Sequence, residues 1–565
     1  MAMMALGGVA VTFSRPLSSL FLRFLFHAAF LLAASSYEAA SSDLITTLPD
    51  YGPPPTPTYS GFLPGVDPGT NLHYWLATSS AEGVAASVPL VIWLNGGPGS
   101  SSLLGMLQEH GPLLVNASGG LMENPYAWTT LANVVAIESP AGVGYSYCAA
   151  MANRTGDCHP SDTTAARDAA FAVAALVNDK FPELKDKKTY ITGESYAGVY
   201  VPMLAEAILE YNTAYPQRAI NLKGIAAGDP CTDNESQQES MDMLWYAHKY
   251  GLVPDADFNL LWNTCGHRYP RAMHDDASKL SKPTRRVVSR HSAASILRGQ
   301  PSAECIAAER RFLLGTSDSF SQVWPLAYIN DVSLYGPSAL VSYKRKGSLN
   351  YKMEAWLNRP DVRAALHVDG APTKQWPGPP DGWTYTKETA SCNPEAAPGA
   401  PSMVDYYRRI APQLETTTVF NGDTDPCVSY EGTRAAVLKV GFAQLDGGDY
   451  RPWFYNATAS SAHLLAEKAL LFGPSLAMQP AGAQFGGHVV NYENNFQFLT
   501  VHGSGHMVPQ FRPRATLHFL KRFLSHEALS PLYVSAQKME SMSESDFEQY
   551  MDAWTTEATS DEYLV

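Results

Sequence analysis

Residues 189–199 read Thr189-Tyr190-Ile191-Thr192-Gly193-Glu194-Ser195-Tyr196-Ala197-Gly198-Val199. The first four are β-branched or aromatic and predict a strand, and an apolar helix is expected from about Val199 onward. Between them stands a serine bounded by small residues, because a turn sharp enough to join strand to helix leaves no room for larger side chains. Such a turn presents its central side chain at the end of a sheet, which makes Ser195 a candidate nucleophile. A serine hydroxyl attacks poorly at its ordinary pKa, so a histidine must take its proton and an acid must orient that histidine.

Both follow downstream. Phe420-Asn421-Gly422-Asp423-Thr424-Asp425 closes the apolar run Thr417–Phe420 and supplies two acids at a strand end. His502-Gly503-Ser504-Gly505-His506-Met507-Val508-Pro509 follows the run Phe496–Val501 and places a histidine in a glycine-rich loop. His506 is the candidate base, and His502, on the strand side, is the weaker one. His73, His110, His159, His248, His267, His367 and His488 lack this setting and read as surface or packed residues. Asn95-Gly96-Gly97-Pro98-Gly99 follows the run Val88–Leu94, where a loop of backbone donors belongs. The N–H groups of Gly97 and Tyr196 are the candidate oxyanion hole. Neither a Gly-x-Gly-x-x-Gly pattern nor a P-loop lysine is present to make it a phosphate site.

Further strands are expected at Leu72–Leu76, Asn133–Ile137 and Leu222–Ala227, and a helix from Ser161 to Phe181 with Val173, Leu176, Val177 and Phe181 on one face. Strands alternating with helices predict an α/β fold, a mostly parallel central sheet with helices on both faces. The serine, acid, histidine order is that of the α/β-hydrolase fold. Residues 229–350 lose the rhythm and read as an inserted cap between a first core part, 41–228, and a second, 351–530. Lys282, Arg285, Arg286 and Arg290 within the cap read as a solvated basic loop. Residues 531–565 read as an acidic C-terminal tail with a frayed end.

With 565 residues, 45% apolar and 17% charged, the chain has enough apolar content for a large core. A net charge of -14 argues against nucleic acid, whose phosphates need clustered Lys and Arg. Residues 1–40 resemble a secretory signal peptide: the apolar stretch Phe24–Ala34 is too short for a bilayer of about 30 Å, and small residues follow it. No membrane association is expected after cleavage. Sequons at Asn116, Asn153, Asn234 and Asn456 fit a glycosylated, secreted or vacuolar/lysosomal protein. Cys148 with Cys158 and Cys265 with Cys305 suit disulfides, leaving an odd thiol among Cys231, Cys392 and Cys427. The cysteines show no zinc-ligand spacing, so neither metal nor cofactor is expected.

Taken with Trp93–Gly99, Glu138–Ser146, Gly193–Gly198, Asn358–His367 and Gly505–Pro509, residues 45–527 resemble the serine carboxypeptidases. The resemblance implies an exopeptidase of acidic pH optimum acting on peptides or proteins with a free C-terminus. It makes Asp425, the second aspartate of Gly-Asp-x-Asp, the triad acid and Asp423 a structural partner. It assigns the substrate carboxylate to Asn95, Glu109 and Glu194, with Gly96 and Met507 lining the site, and makes a homodimer the assembly to test. Plant acyltransferases of similar sequence often read Gly-Asp-Ser-Tyr at the elbow, whereas Glu194 is retained here; a non-catalytic binding role is the third reading. Two departures stand out. Ser100 replaces a usual cysteine, so a disulfide near the carboxylate site is missing, and Asp229 replaces a common asparagine.

Overall fold

Every strand expected above forms, and all of them lie in one sheet. The computed structural model describes residues 38–80, 88–116, 118–266, 302–316, 349–457 and 481–565. In chain order the strands are β1 (Thr58–Pro64), β2 (Asn71–Ala77), β3 (Leu90–Leu94), β4 (Leu113–Val115), β5 (Leu121–Glu123), β6 (Asn133–Ile137), β7 (Thr189–Glu194), β8 (Leu222–Gly228), β9 (Thr416–Gly422), β10 (Arg451–Ala457), β11 (Gly482–Tyr492) and β12 (Phe496–Val501). A ten-stranded sheet runs β1-β2-β6-β3-β7-β8-β9-β12-β11-β10, and β4 pairs with β5 apart from it. The centre, β6 through β12, is parallel; β1 and β2 at one edge and β11 and β10 at the other pair antiparallel. This is the α/β-hydrolase architecture expected.

Parallel strands covered on both faces need apolar side chains at every position. In β3, Leu90, Ile92 and Leu94 enter one core and Val91 and Trp93 the other, all at most 1% exposed. Each such burial contributes about 1.5–3 kcal/mol. The first core holds the helices Asp162–Ala175 and Ala197–Ala214, and the second the helix Pro513–Ser525 through Phe519 and Phe523. The Asp162–Ala175 helix starts where expected because Ser161 and Thr164 cap one another's backbone N–H groups, worth about 1 kcal/mol. A π turn, Leu176–Lys180, carries its apolar face on to Phe181.

The edge strands β1 and β10, and β11 next to the latter, were not legible. They carry Gly61 and Pro64, Pro452, and Gly482, Gly486 and Gly487, which interrupt the apolar pattern, and an edge strand need not be apolar on both faces. The tail departs from the frayed end expected. Ser543 caps a helix Glu544–Ala558, whose Trp554 and Ala558, one turn apart, are 3% and 0% exposed. Trp554 Nε1 donates to the Pro531 carbonyl and Arg522 Nη1 to the Glu562 carbonyl. The acidic composition describes the outer face of this helix and hides its buried stripe.

The described part of residues 229–350 is helical, with a small core of Leu244, Tyr246, Ala247, Val253, Leu261, Ala308 and Phe312. Disulfides join Cys148 to Cys158, Cys231 to Cys392 and Cys265 to Cys305; Cys427 is buried outside these bridges. The signal segment, apart from its last three residues, and the basic residues Lys282, Arg285, Arg286 and Arg290 lie outside the described residues. Among the described residues no helix is long and apolar enough to cross a membrane.

Candidate active site

Five neighbouring parallel strands, β3, β7, β8, β9 and β12, end on the same edge of the sheet. Just beyond those ends stand Asn95, Ser195, Asp229, Asp425 and His506 respectively. Topology alone therefore gathers residues from Asn95 to His506, more than four hundred positions apart, into one place.

Ser195 links β7 to the Ala197–Ala214 helix with φ 66°, a left-handed conformation that strains a non-glycine residue by about 1–3 kcal/mol. Backbone hydrogen bonds hold it there: Ser195 N–H donates to the Gly228 carbonyl at 2.9 Å, and its own carbonyl accepts from Cys231 and Gly198 N–H at 3.0 and 2.9 Å. Gly198 is a necessity of space, since a Cβ there would meet Pro230 Cβ at 2.5 Å and the Cys231 backbone at 2.6 Å. Gly96 is another, because its Cβ would overlap Tyr196 N, Glu194 O and Ser195 Cβ. The Asn95–Gly99 loop thus lies directly against the elbow at Gly96, and Gly97 stands at φ 110°.

Asp425 is fully enclosed. Its Oδ1 accepts from Cys427 N–H at 2.7 Å, and its Oδ2 from Val428 N–H and His506 Nδ1, both at 2.9 Å. The His506 side chain is 11% exposed and Asp425 0%. His502 and Asp423 form a second pair, Nδ1 to Oδ2 at 2.7 Å, with His502 58% exposed, and Asp423 also accepts from Gly503 N–H. One cap helix, Met243–Lys249, reaches this loop: the hydroxyls of Tyr246 and of Tyr250 at its C-terminal end donate to the Thr424 and Asp423 carbonyls.

Asn95, Glu109 and Glu194 come together under the elbow. Asn95 Oδ1 accepts from Trp93 Nε1 at 2.7 Å and Gly105 N–H at 3.0 Å, which fixes its amide so that Nδ2 donates to Glu194 Oε1 at 2.9 Å. Both glutamates are buried. Burial pushes the Glu109 carboxyl up to about 7, and burial with the Glu109 charge beside it holds Glu194 well above the carboxylate range. Two buried carboxylates side by side cannot both be ionised cheaply, so one carries a proton, and Glu194, the more strongly raised, is that one. Met507 is buried against Phe511 at the mouth of the His506 loop.

Asp229, Asp425 and His506 offer polar atoms within 4.8 Å of one another, the grouping among the described residues that best resembles metal ligands. Asp425 and His506 are already joined in it by a hydrogen bond, which accounts for their proximity without an ion. Another decoy lies deep in the core. His73 bonds Glu138 through Nδ1 at 2.9 Å and Ser60 through Nε2 at 2.8 Å, a serine–histidine–acid array. All three are 0% exposed and Ser60 Oγ donates to the Leu366 carbonyl, so it braces β1 against β2 and no substrate reaches it. His110 is a packed residue as expected, stacked on Trp128 and kept neutral by burial, which lowers it to about 3. Of the sequons, Asn153 is exposed, Asn456 is half-buried in β10, Asn116 caps a turn through its Oδ1, and Asn234 Nδ2 donates to the Asn393 carbonyl.

The family model for serine carboxypeptidase matches residues 49–526. The chain belongs to the serine carboxypeptidase family. Serine carboxypeptidase-like 21 of Arabidopsis thaliana is 29% identical over 518 residues, covering 87% of this chain and 95% of that protein. Serine carboxypeptidase-like 25 of the same plant is 30% identical, covering 87% and 93%. Kex1, a prohormone-processing carboxypeptidase of Saccharomyces cerevisiae, shares the fold with TM-score 0.58 and 21% identity over 87% of this chain and 95% of its own. Within this member of the serine carboxypeptidase family, the sequence marked Asp229 only as a departure and gave it no place in the site. Its position immediately after β8, between the strands that carry the serine and the acid, was the available signal.

Proposed function

We propose that the protein is a serine-type carboxypeptidase that releases C-terminal residues from peptides through an acyl-enzyme on Ser195. The observation that carries this reading is the buried Asn95–Glu194–Glu109 cluster, whose Glu194 is the chain neighbour of Ser195. A neutral carboxyl and an amide at this place suit the carboxylate of a peptide's last residue, and a substrate held by that end is cut one residue from it.

In this mechanism His506, its Nδ1–H fixed by Asp425, takes the Ser195 proton at Nε2 as Oγ attacks the last peptide carbonyl. Gly97 and Tyr196 N–H groups receive the oxyanion. His506 returns the proton to the departing amino acid, and water, activated the same way, releases the shortened peptide. A secretory, glycosylated and vacuolar or extracellular life is part of the proposal, supported by three disulfides and the leader. Product from a eukaryotic secretory host that keeps residues 1–40 and no glycan contradicts that part.

The pH dependence follows from the carboxyl pair. In acid the pair holds a proton and donates to the substrate carboxylate; as pH rises and the pair, both members raised by burial, gives that proton up, two buried anions repel a third. KM for free-acid peptides therefore climbs with pH, while KM for C-terminal amides or esters changes less. Glu194→Gln keeps a donor at every pH, so its KM for a blocked dipeptide acid stays nearly level between about pH 5 and 8. An equally steep rise in the variant refutes the role of Glu194.

A further inference from the structure

Asp229 is an aspartate enclosed at 0% exposure on the C-terminal edge of the sheet. Its backbone is held in a left-handed conformation, φ 43°, by its N–H to the Phe420 carbonyl at 2.8 Å, which aims the side chain between β8 and β9. Oδ1 accepts from Asn421 Nδ2 at 3.0 Å and Gly422 N–H at 2.9 Å. Oδ2 is buried and receives no N–H or hydroxyl donor. Yet the carboxyl faces that of Asp425, in a group with His506 whose polar atoms lie within 4.8 Å of one another. Two enclosed carboxylates are acceptors only and repel at this range, so the pair is accommodated at low cost only if one of them carries a proton. Asp425 already accepts three N–H donors, from Cys427, Val428 and His506. The proton belongs where no donor arrives.

We propose that Asp229 is a neutral carboxylic acid whose Oδ2–H donates to Asp425, making it a positioning residue that holds the acid of the triad. The inference rests on the peptidase reading for its kinetic consequence but not for its protonation. The titratable groups that face Asp229 are Asp425 from the loop after β9, Glu194 from the end of β7 and His506 from the loop after β12. Burial first, then the negative charge of Asp425 and more weakly that of Glu194, raise Asp229 well above the carboxylate range. While neutral, Asp229 supplies Asp425 with a fourth donor and adds no charge. Once ionised at higher pH, it sets a second buried anion against Asp425, loses that hydrogen bond and favours the protonated form of His506, which cannot act as base. Asp229 thus ties the alkaline limit of turnover to the state of a residue that never touches substrate.

The test has a spectroscopic arm and a kinetic arm. In protein carrying carbon-13 at its aspartate carboxyls, infrared spectra at about pH 6, where exposed aspartates are ionised, show an isotope-shifted C=O stretch of a neutral acid. Glutamates 109 and 194 do not contribute to that band. Asp229→Asn removes it, and Asp162→Asn, at the other enclosed aspartate with a raised pKa, leaves it in place. Asparagine keeps the acceptor for Gly422 and a donor for Asp425 and has no proton to lose. At saturating peptide, kcat of Asp229→Asn is therefore within about threefold of the wild type in acid, and its alkaline decline moves to higher pH. Asp229→Ala, without a donor, loses about tenfold or more at every pH, the scale of one hydrogen bond to a charged group. Absence of the band in the labelled wild type, or its persistence in Asp229→Asn, overturns the proposal. So does an unchanged alkaline limb in that variant. If the wild type trims no peptides, the infrared result still stands or falls by itself, which separates this inference from the peptidase reading. If Asp229→Asn does not fold, survival of the band in Asp162→Asn carries the assignment and its loss refutes it.

Discussion

Ser195→Ala abolishes covalent labelling by an organophosphofluoridate and lowers kcat for peptides by about 10⁴-fold or more, with the fold intact. The labelling follows from position: Ser195 is held at φ 66° on the sheet edge where Asn95, Asp425 and His506 converge, whereas Ser60, the serine of the buried array, is 0% exposed. The rate loss follows from chemistry, because without Oγ no acyl-enzyme forms and only the oxyanion donors and binding remain. Alanine tolerates the same backbone strain as serine, so thermal stability changes by well under the catalytic loss. Stoichiometric label on a different serine, read by peptide mass, contradicts the assignment.

The second large effect separates two histidine–aspartate pairs built on the same two loops. Asp425→Asn reduces kcat by about 10⁴-fold, since an asparagine in that position presents the wrong hydrogen-bonding partner to His506 Nδ1 and selects the wrong tautomer. Asp423→Asn reduces it by less than about tenfold, because its partner His502 is 58% exposed and an ion pair in that setting is screened. The measurement is kcat for one peptide in both variants, with circular dichroism to verify folding. A larger loss at Asp423 than at Asp425 reverses the assignment.

The central sheet was legible because parallel strands are buried on both faces and so leave unbroken apolar runs, as at Leu90–Leu94 and Asn133–Ile137. The elbow was legible because Gly193, Ala197 and Gly198 frame it with small residues where the turn packs closely, as Gly198 does against Pro230. The strands β1, β10 and β11 and the tail helix escaped because glycine, proline or polar residues break their apolar pattern: β11 has Gly486 and Gly487 in mid-strand, and Trp554 stands alone among acidic residues. Within the site, the serine, acid and histidine could be read from loop chemistry at strand ends. The choice of Asp425 over Asp423 could not, because both follow β9 in the same short turn; enclosure distinguishes them, and enclosure is a property of the fold. The pairing of Cys231 with Cys392 is likewise a product of topology, joining the loop after β8 to a segment 161 residues later.

The central claim is that substrates are held by their C-terminal carboxylate and cut beside it. Mixed peptides, each made with a free-acid and an amidated C-terminus, are incubated with the purified protein in mild acid and the products read by mass spectrometry. The account predicts ladders shortened one residue at a time from the C-terminus of the free acids, little trimming of the amides, and neither pattern with Ser195→Ala. Intact peptides alongside transfer of an acyl group from a glucose ester to an acceptor, or equal trimming of acids and amides, would contradict it.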